Sequence, residues 1–334
     1  MREKTNYNNT NSYFMIAVST RENLELCLKY SLAGFPSNKN GAWAYSEIQE
    51  NDRVSFLYGA RVHNLYVVRN KLCLENDDSE LPGWKPLEFG YGKKLRRYTF
   101  PFRLELEPLR KFDEPLTRVE FSYVAENLLL RGGYRKSHFQ ADRTDLGHAS
   151  RLGSIAEDHA QWPSYTNPFF EPRFTFNKSL VNEPKVFLFW EQLLQAAIRR
   201  YLCNKKKLED FLKALTIDLL YADELEVLGE KSLPRGYVDI LIKEAIPTGI
   251  SRKIIIEVKR GNATAKSFEQ LEAYKQELGK ECIAAVLIAQ KINEKLKRKF
   301  QSIKAVEYHI GSLPNTFTFP ELVKAINLHV FSAR

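Results

Sequence analysis

Apolar and polar residues follow two different rhythms in the two halves of this chain. A polar, asparagine-rich opening (residues 1–12) predicts a frayed tail. FMIAVS then reads as a strand and RENLELCLKY as a short amphipathic helix beginning after Thr20. GFPSNKNG is built of turn formers and predicts a loop, followed by the strand pieces AWAY, DRVSFLYG and LYVVRN. Residues 75–97 read as loop, and YTFPFRLELEPL alternates apolar and charged residues with the period of a half-buried strand. The expectation is a mixed, β-dominant domain over 13–177 of the small-barrel kind.

Four prolines within 160–185 predict a hinge. Beyond it VFLFWEQLLQAAIRRYL and KKKLEDFLKALTIDLL have helical periodicity, and ELEVLGEKS, YVDILIK and KIIIEVKR read as strands. SFEQLEAYKQELG predicts a helix, AAVLIAQ a buried strand, NEKLKRKFQSI a basic helix, AVEYHI a strand and FPELVKAINLHVF a closing helix. Helices alternating with short β-branched strands predict an α/β sheet domain over 186–334, so the fold class is α/β multidomain.

Composition fits that division. A chain of 334 residues exceeds the usual domain size, and 44% hydrophobic and 12% aromatic residues suffice for two cores. The net charge of +9 favours a polyanionic partner, nucleic acid foremost. Cys27, Cys73, Cys203 and Cys282 are widely spaced, which speaks against a zinc ribbon or a disulfide framework and suits a reducing compartment. With no apolar leader and no run near the roughly 18 apolar residues of a membrane span, a cytoplasmic, membrane-free protein is expected.

Candidate chemistry lies in the second half. Glu257 and Lys259 occupy alternate positions of KIIIEVKR and leave the same face of that strand. Asp239 lies in the apolar strand YVDILI, after the turn formed by Pro234, Arg235 and Gly236. An isolated Glu-x-Lys is commonly a solvated ion pair, but three isoleucines precede Glu257, where an unpaired buried charge is costly. If Asp239 faces Glu257, a hard cation such as Mg²⁺ or Mn²⁺ relieves their repulsion. Such a cation activates water and polarises a phosphoryl oxygen, with Lys259 beside it, so phosphodiester hydrolysis is expected.

KLEDFL, RGYVDILI, IIIEVKRGNAT, EQLEAYKQEL and AAVLIAQKI also stand in an order and spacing that resembles a known family. Residues 206–310 resemble the catalytic domain of the archaeal and actinobacterial NucS-like endonucleases, in the RecB-like group of PD-(D/E)xK nucleases. The resemblance implies metal binding by Asp239 and Glu257, with Lys259 beside the attacking water. It implies that Gln270 and Tyr274 brace the site or touch the DNA backbone. It also implies that Glu209 joins the metal shell, where a solvated helix charge is the equal alternative, with Glu230 a further candidate.

In the first half, NSYFMIAVSTRENLELCLKYSLAGFPSNKNGAWAYSEIQENDRVSFLYG resembles the opening of YTH/EVE domains of the PUA-like superfamily, through Gly41, Trp43, Asp52 and Val54. The resemblance implies an aromatic pocket for a flipped, modified base, where stacking contributes about 1–3 kcal/mol per base. Trp43 is the expected first wall. Trp84, Phe89, Tyr91 and Tyr98 are candidates for the second, with Tyr91 or Tyr98 replacing a tryptophan that 92–97 lacks. RGGYRKSHFQADR (131–143) could track a phosphate backbone or be a solvated loop. Together these features predict a modification-dependent endonuclease acting on double-stranded, methylated DNA, most simply as a homodimer because a double-strand cut needs two sites. A structure- or mismatch-specific repair nuclease and a non-catalytic nucleic-acid-binding protein are the alternatives.

Overall fold

The computed structural model describes residues 11–331 apart from 60, 76–83, 85–86, 92–93, 117–136, 166–168, 218–220, 234–235 and 247–248. The chain is mixed α/β and divides into two compact units, Asn11–Leu188 and Phe189–Arg334.

The first unit is built on a sheet of seven strands. They are β1 (Tyr13–Ala17), β2 (Leu32–Phe35), β3 (Arg53–Tyr58), β4 (Arg61–Cys73), β7 (Phe102–Lys111), β8 (His138–Ala141) and β9 (Ser154–Ile155). The hairpin of β5 (Leu87–Tyr91) and β6 (Lys94–Tyr98) forms a separate small sheet. The main path runs β2-β7-β4-β3-β1-β8, with β9 on β7 and a parallel β1–β3 pair. Among the described residues its two ends, β2 and β8, are not paired, so the expected barrel is an open sheet there. Helices α1 (Arg21–Tyr30) and α2 (Lys39–Glu47) follow β1 and β2.

Helix α2 replaces the predicted strand AWAY. Asn38 caps it by accepting the Gly41 N–H at 3.0 Å. Gly41 is required there, since a Cβ would stand 1.8 Å from the Pro36 carbonyl oxygen. The two-residue alternation of AWAY is therefore overridden by a cap and a close backbone contact.

The segment 160–185 is not the free hinge its prolines predict, because its aromatic residues are drawn into the first unit. Trp162 donates its indole N–H to the Leu106 carbonyl, and Phe102 packs against Phe170 and Phe187. β10 (Arg173–Thr175) and β11 (Val186–Leu188) pair in parallel and bury Phe174 and Phe187 completely. The division between units falls at Leu188, just beyond the expected 178–186 boundary.

The second unit contains a six-stranded sheet in strict chain order. It comprises β12 (Leu225–Leu233), β13 (Gly236–Glu244), β14 (Lys253–Asn262), β15 (Cys282–Lys291), β16 (Lys304–Ile310) and β17 (Ile326–Val330). The central pairs β14–β15 and β15–β16 are parallel and the outer pairs antiparallel. Helix α4 (Glu191–Leu202) packs along β12, β13 and β14, and α6 (Ala265–Leu278) along β14 and β15; α3 (Arg143–Ala149) belongs to the first unit, and α5 (Lys205–Ala214) packs on α4.

β14 is buried on both faces, which its isoleucine run requires. Ile255 joins a cluster with Phe268, Leu271 and Leu287, while Ile254, Ile256 and Val258 alternate to the other side. The basic helix α7 spans Glu294–Lys299. FPELVKAINLHVF divides into helix α8 (Phe319–Ala325), closed by a Thr318–Glu321 capping box, and strand β17. No helix among the described residues is long and apolar enough to cross a membrane.

Candidate functional site

The β13–β14 ladder ends at Ile240↔Ile256, one position before Asp239 and Glu257 would face each other. Like charges directly opposite one another destabilise a sheet. Here the strands part, and Asp239 Oδ2 accepts the Val258 backbone N–H at 2.7 Å in place of a ladder bond. β14 keeps its pairing with β15 through this stretch (Glu257↔Leu287, Lys259↔Ala289). On the other flank the β12–β13 register passes from Gly229↔Ile240 to Lys231↔Val238, which sets Glu230 opposite Asp239. Glu230 has a left-handed φ of 43°, uncommon for a residue other than glycine.

Lys259 Nζ lies 2.8 Å from Glu257 Oε1, as side chains two apart on a strand allow. Glu257 is almost fully buried, and its Oε2 has no hydrogen-bond partner. Burial raises the pKa of Glu257, with Lys259 opposing the rise and Glu191 adding to it. Asp239 is raised well above the usual carboxylate range, first by burial and then by the charge of Glu257. For Lys259 burial acts downward, but Glu257, Asp239 and Glu191 outweigh it and its pKa is raised. The lysine is held as a cation and the two acids resist ionising together.

A fourth participant comes from α4. Glu191, its first residue, places Oε1 3.6 Å from Lys259 Nζ, and its Oε2 accepts the Arg260 N–H at 3.0 Å. Arg260 donates to the Phe189 carbonyl at 3.0 Å, and its own carbonyl accepts the Tyr308 hydroxyl. Sequence reasoning misses Glu191 because FWEQLLQ shows it only as a first-turn residue of an amphipathic helix. The available signal was an acid in a first turn, directly after a strand-like run.

Glu209, by contrast, is exposed on α5 and pairs with Lys213 at 2.6 Å, and no contact joins it to Asp239 or Glu257 among the described residues. The helical carboxylate near the triad is Glu191, and Glu209 is corrected accordingly. Gln270 donates to the Tyr274 hydroxyl at 2.9 Å, and that hydroxyl also takes the Tyr237 backbone N–H. A Cβ on Gly236 would stand 2.3 Å from the same oxygen, so glycine lets α6 close onto β13. Gln270 and Tyr274 thus brace the strand that bears Asp239; Pro234 and Arg235 of the expected turn lie outside the described residues.

The donor set fits a hard cation. Glu257 Oε2 is a buried oxygen without a partner, beside a second carboxylate whose ionisation burial and repulsion suppress. Among the described residues no group of three or more His, Cys, Asp or Glu gathers into a metal cage. Mg²⁺ needs none, since it commonly takes one or two carboxylates, waters and a substrate phosphate.

The aromatic candidates of the first unit are scattered. Trp43 lies within α2, not after a loop, and is buried in a T-shaped contact with His138, ring centroids 4.9 Å apart. His138 Nε2 is 2.8 Å from Glu47 Oε2, one helical turn beyond Trp43. Trp84 is buried, with the Arg103 guanidinium 3.8 Å over its ring and Gly34 against it. Tyr98 is half-buried at the end of β6, and the side chains of Phe89 and Tyr91 and the segment 131–136 lie outside the described residues.

No family model and no curated protein matches this sequence. Among solved structures, a complex of EndoMS with double-stranded DNA ("Structure of EndoMS-dsDNA2 complex") is similar at 13% identity over 71% of this chain and 72% of that chain. Its TM-score is 0.21, and a likeness that low carries no conclusion about this chain's fold or activity.

Proposed function

We propose that the unit Phe189–Arg334 is a PD-(D/E)xK-type endodeoxyribonuclease that hydrolyses phosphodiester bonds of double-stranded DNA with Mg²⁺, for which Mn²⁺ can substitute. The observation that carries this reading is the parting of β13 from β14 at Asp239 and Glu257, with Glu257 Oε2 buried and unpartnered. Asp239 and Glu257 would hold the ion, with Glu230 opposite Asp239 adding negative potential. The ion supplies Lewis acidity and an acidified water. Lys259, kept cationic by Glu257 and Glu191, orients the attacking water or offsets charge growing on the phosphate. Glu191 fixes Lys259 and the backbone of Arg260 together.

In the same reading the first unit, Asn11–Leu188, is a PUA-like YTH/EVE module that selects DNA carrying a modified base, and the active protein is a homodimer. A second reading, a structure- or mismatch-specific nuclease with the first unit as a clamp, is favoured by the burial of Trp43 and by the Arg103 guanidinium over Trp84. The discriminating test is digestion of matched plasmids differing in N6-methyladenine, 5-methylcytosine or hydroxymethylcytosine, and of mismatched or branched duplexes, each with Mg²⁺ or Mn²⁺. Cutting restricted to one modified plasmid supports the first reading. Cutting restricted to mismatched or branched DNA supports the second, and no cutting of any substrate removes both.

A further inference from the structure

The parallel strands β14 and β15 end at the same edge of the sheet, and that edge carries the Asp239–Glu257–Lys259 cluster. From Lys259↔Ala289 the pairing runs on to Asn262↔Lys291, so Lys291 lies about 7 Å beyond the level of Lys259. Ala263 N–H donates to the Lys291 carbonyl and fixes this end. Asn293 then caps α7 by accepting the Lys295 N–H at 2.8 Å, which starts a helix of about 9 Å directly off the edge.

The faces of α7 are sharply divided. Leu296 and Phe300 pack into the core beneath α6. Lys297 is turned inward, its Nζ 2.8 Å from Glu294, 3.8 Å from Glu307 and 3.1 Å over the Phe331 ring. Lys291, Lys295, Arg298 and Lys299 are left exposed, and Glu294 is the one acid among residues 291–299. Exposed like charges repel, so a row of four with one counter-charge is costly in the free protein and is relieved by a polyanion.

We propose that Lys291, Lys295, Arg298 and Lys299 form a track for the sugar-phosphate backbone of duplex DNA leading to the Asp239–Glu257–Lys259 site. The track rests on the endonuclease reading for the identity of its partner. Its length spans only a few phosphates of one strand. It reads charge and spacing, not base sequence, so selectivity must come from elsewhere in the chain.

The experiment is a salt titration of the full-length protein on a fluorescently labelled 30-base-pair DNA duplex in EDTA, followed by anisotropy. Lys295→Gln/Arg298→Gln is compared with Lys206→Gln/Lys207→Gln, an equal loss of charge from two exposed lysines of α5. The track pair should lower the slope of log affinity against log salt by about 1.8. The gap between parent and variant should accordingly shrink about 10-fold from 50 to 200 mM salt, while the control pair leaves the slope within a few tenths of the parent's. Equal slopes for the two variants, or no change for the track pair, overturn the track. Loss confined to an RNA duplex of the same sequence also overturns it. A parent that binds DNA with the expected slopes but never cuts it in Mg²⁺ leaves the track standing and removes the nuclease reading. A parent that does not bind DNA removes both.

Discussion

Val258 gives its backbone N–H to the Asp239 carboxylate at 2.7 Å, on the neighbouring strand, at the point where the β13–β14 ladder stops. The register of the ladder would otherwise set Asp239 squarely opposite Glu257. By parting there, the strands exchange a backbone bond for a side-chain bond, and the site acquires two close acids without a direct cross-strand clash. The cost of burying them falls on the folded protein and is visible in their raised pKa values. On the proposed reading, stability and function therefore oppose each other at this spot.

Asp239→Asn separates the two. The amide keeps an oxygen for the Val258 N–H and removes the charge that repels Glu257, so the variant without metal should melt at the parent's temperature or above it. Addition of 10 mM Mg²⁺ should raise the parent's melting temperature and leave the variant's unchanged, and cleavage should fall about a thousand-fold or more. A variant that melts several degrees lower, or that cuts normally, refutes this account of Asp239.

The same acids give stability a pH dependence. Their folded pKa values lie above the unfolded ones, so the folded state holds these protons more tightly. The stability this contributes is fully present below the ordinary carboxylate range and is lost as pH rises through the folded values. Lys259 is raised as well and acts in the same sense, but only in the lysine range far above this window. On the proposed reading Mg²⁺ would relieve the repulsion between ionised acids, so its stabilising shift in melting temperature should be larger at pH 8 than at pH 5. Scanning calorimetry with and without the ion would reveal a failure as an equal shift at both values.

Glu191 and Glu209 make a paired test. Glu191 touches Lys259 and the Arg260 amide, whereas Glu209 pairs with Lys213 on an exposed face. Glu191→Gln should lower kcat about 10- to 100-fold, a loss of roughly 1.4–2.7 kcal/mol, and shift the pH profile as Lys259 loses a neighbouring charge. Glu209→Gln should match the parent, because its i,i+4 pair with Lys213 is exposed and screened by water. Single-turnover rates across pH 6–9 distinguish them, and a larger effect from Glu209→Gln would restore it to the site.

The second unit was legible in the sequence where one residue type does one thing. A run of three isoleucines needs burial on both faces, so the strand carrying Glu257 and Lys259 could be recognised from periodicity alone. Glu191 was hidden because an acid in a first helical turn is ordinary, and its role depends on a contact with residues 68 and 69 positions away. AWAY misled because its alternation is also compatible with a helix, and the deciding features are the Asn38 cap and the Pro36–Gly41 contact. The prolines of 160–185 suggested a hinge, while Phe170, Phe174 and Phe187 in and beside that stretch had the apolar area to fold it down. Local signals outweighed contacts that the sequence does not display.

Trp43 offers the clearest decision between the two readings of the first unit. Its side chain is buried in α2, edge-on to His138, and beside the His138–Glu47 pair. Truncating such a residue leaves a cavity and removes the ring contact, so Trp43→Ala should destabilise the protein by about 3–5 kcal/mol. Trp43→Phe keeps much of the apolar volume and should cost less. If the tryptophan serves packing alone, Trp43→Phe binds methylated and unmodified duplexes in the parent's ratio, because phosphate contacts supply affinity to both alike. If it is also a wall of a base pocket, Trp43→Phe should weaken binding to the methylated duplex alone, by a fraction of the 1–3 kcal/mol that stacking contributes. The burial and the His138 contact favour the first result. Titrations of parent and Trp43→Phe on the two duplexes at one fixed salt concentration decide it, with thermal melts confirming that the variant is folded. A selective loss on methylated DNA would move Trp43 from the core into the recognition site and support the modified-base reading over the clamp.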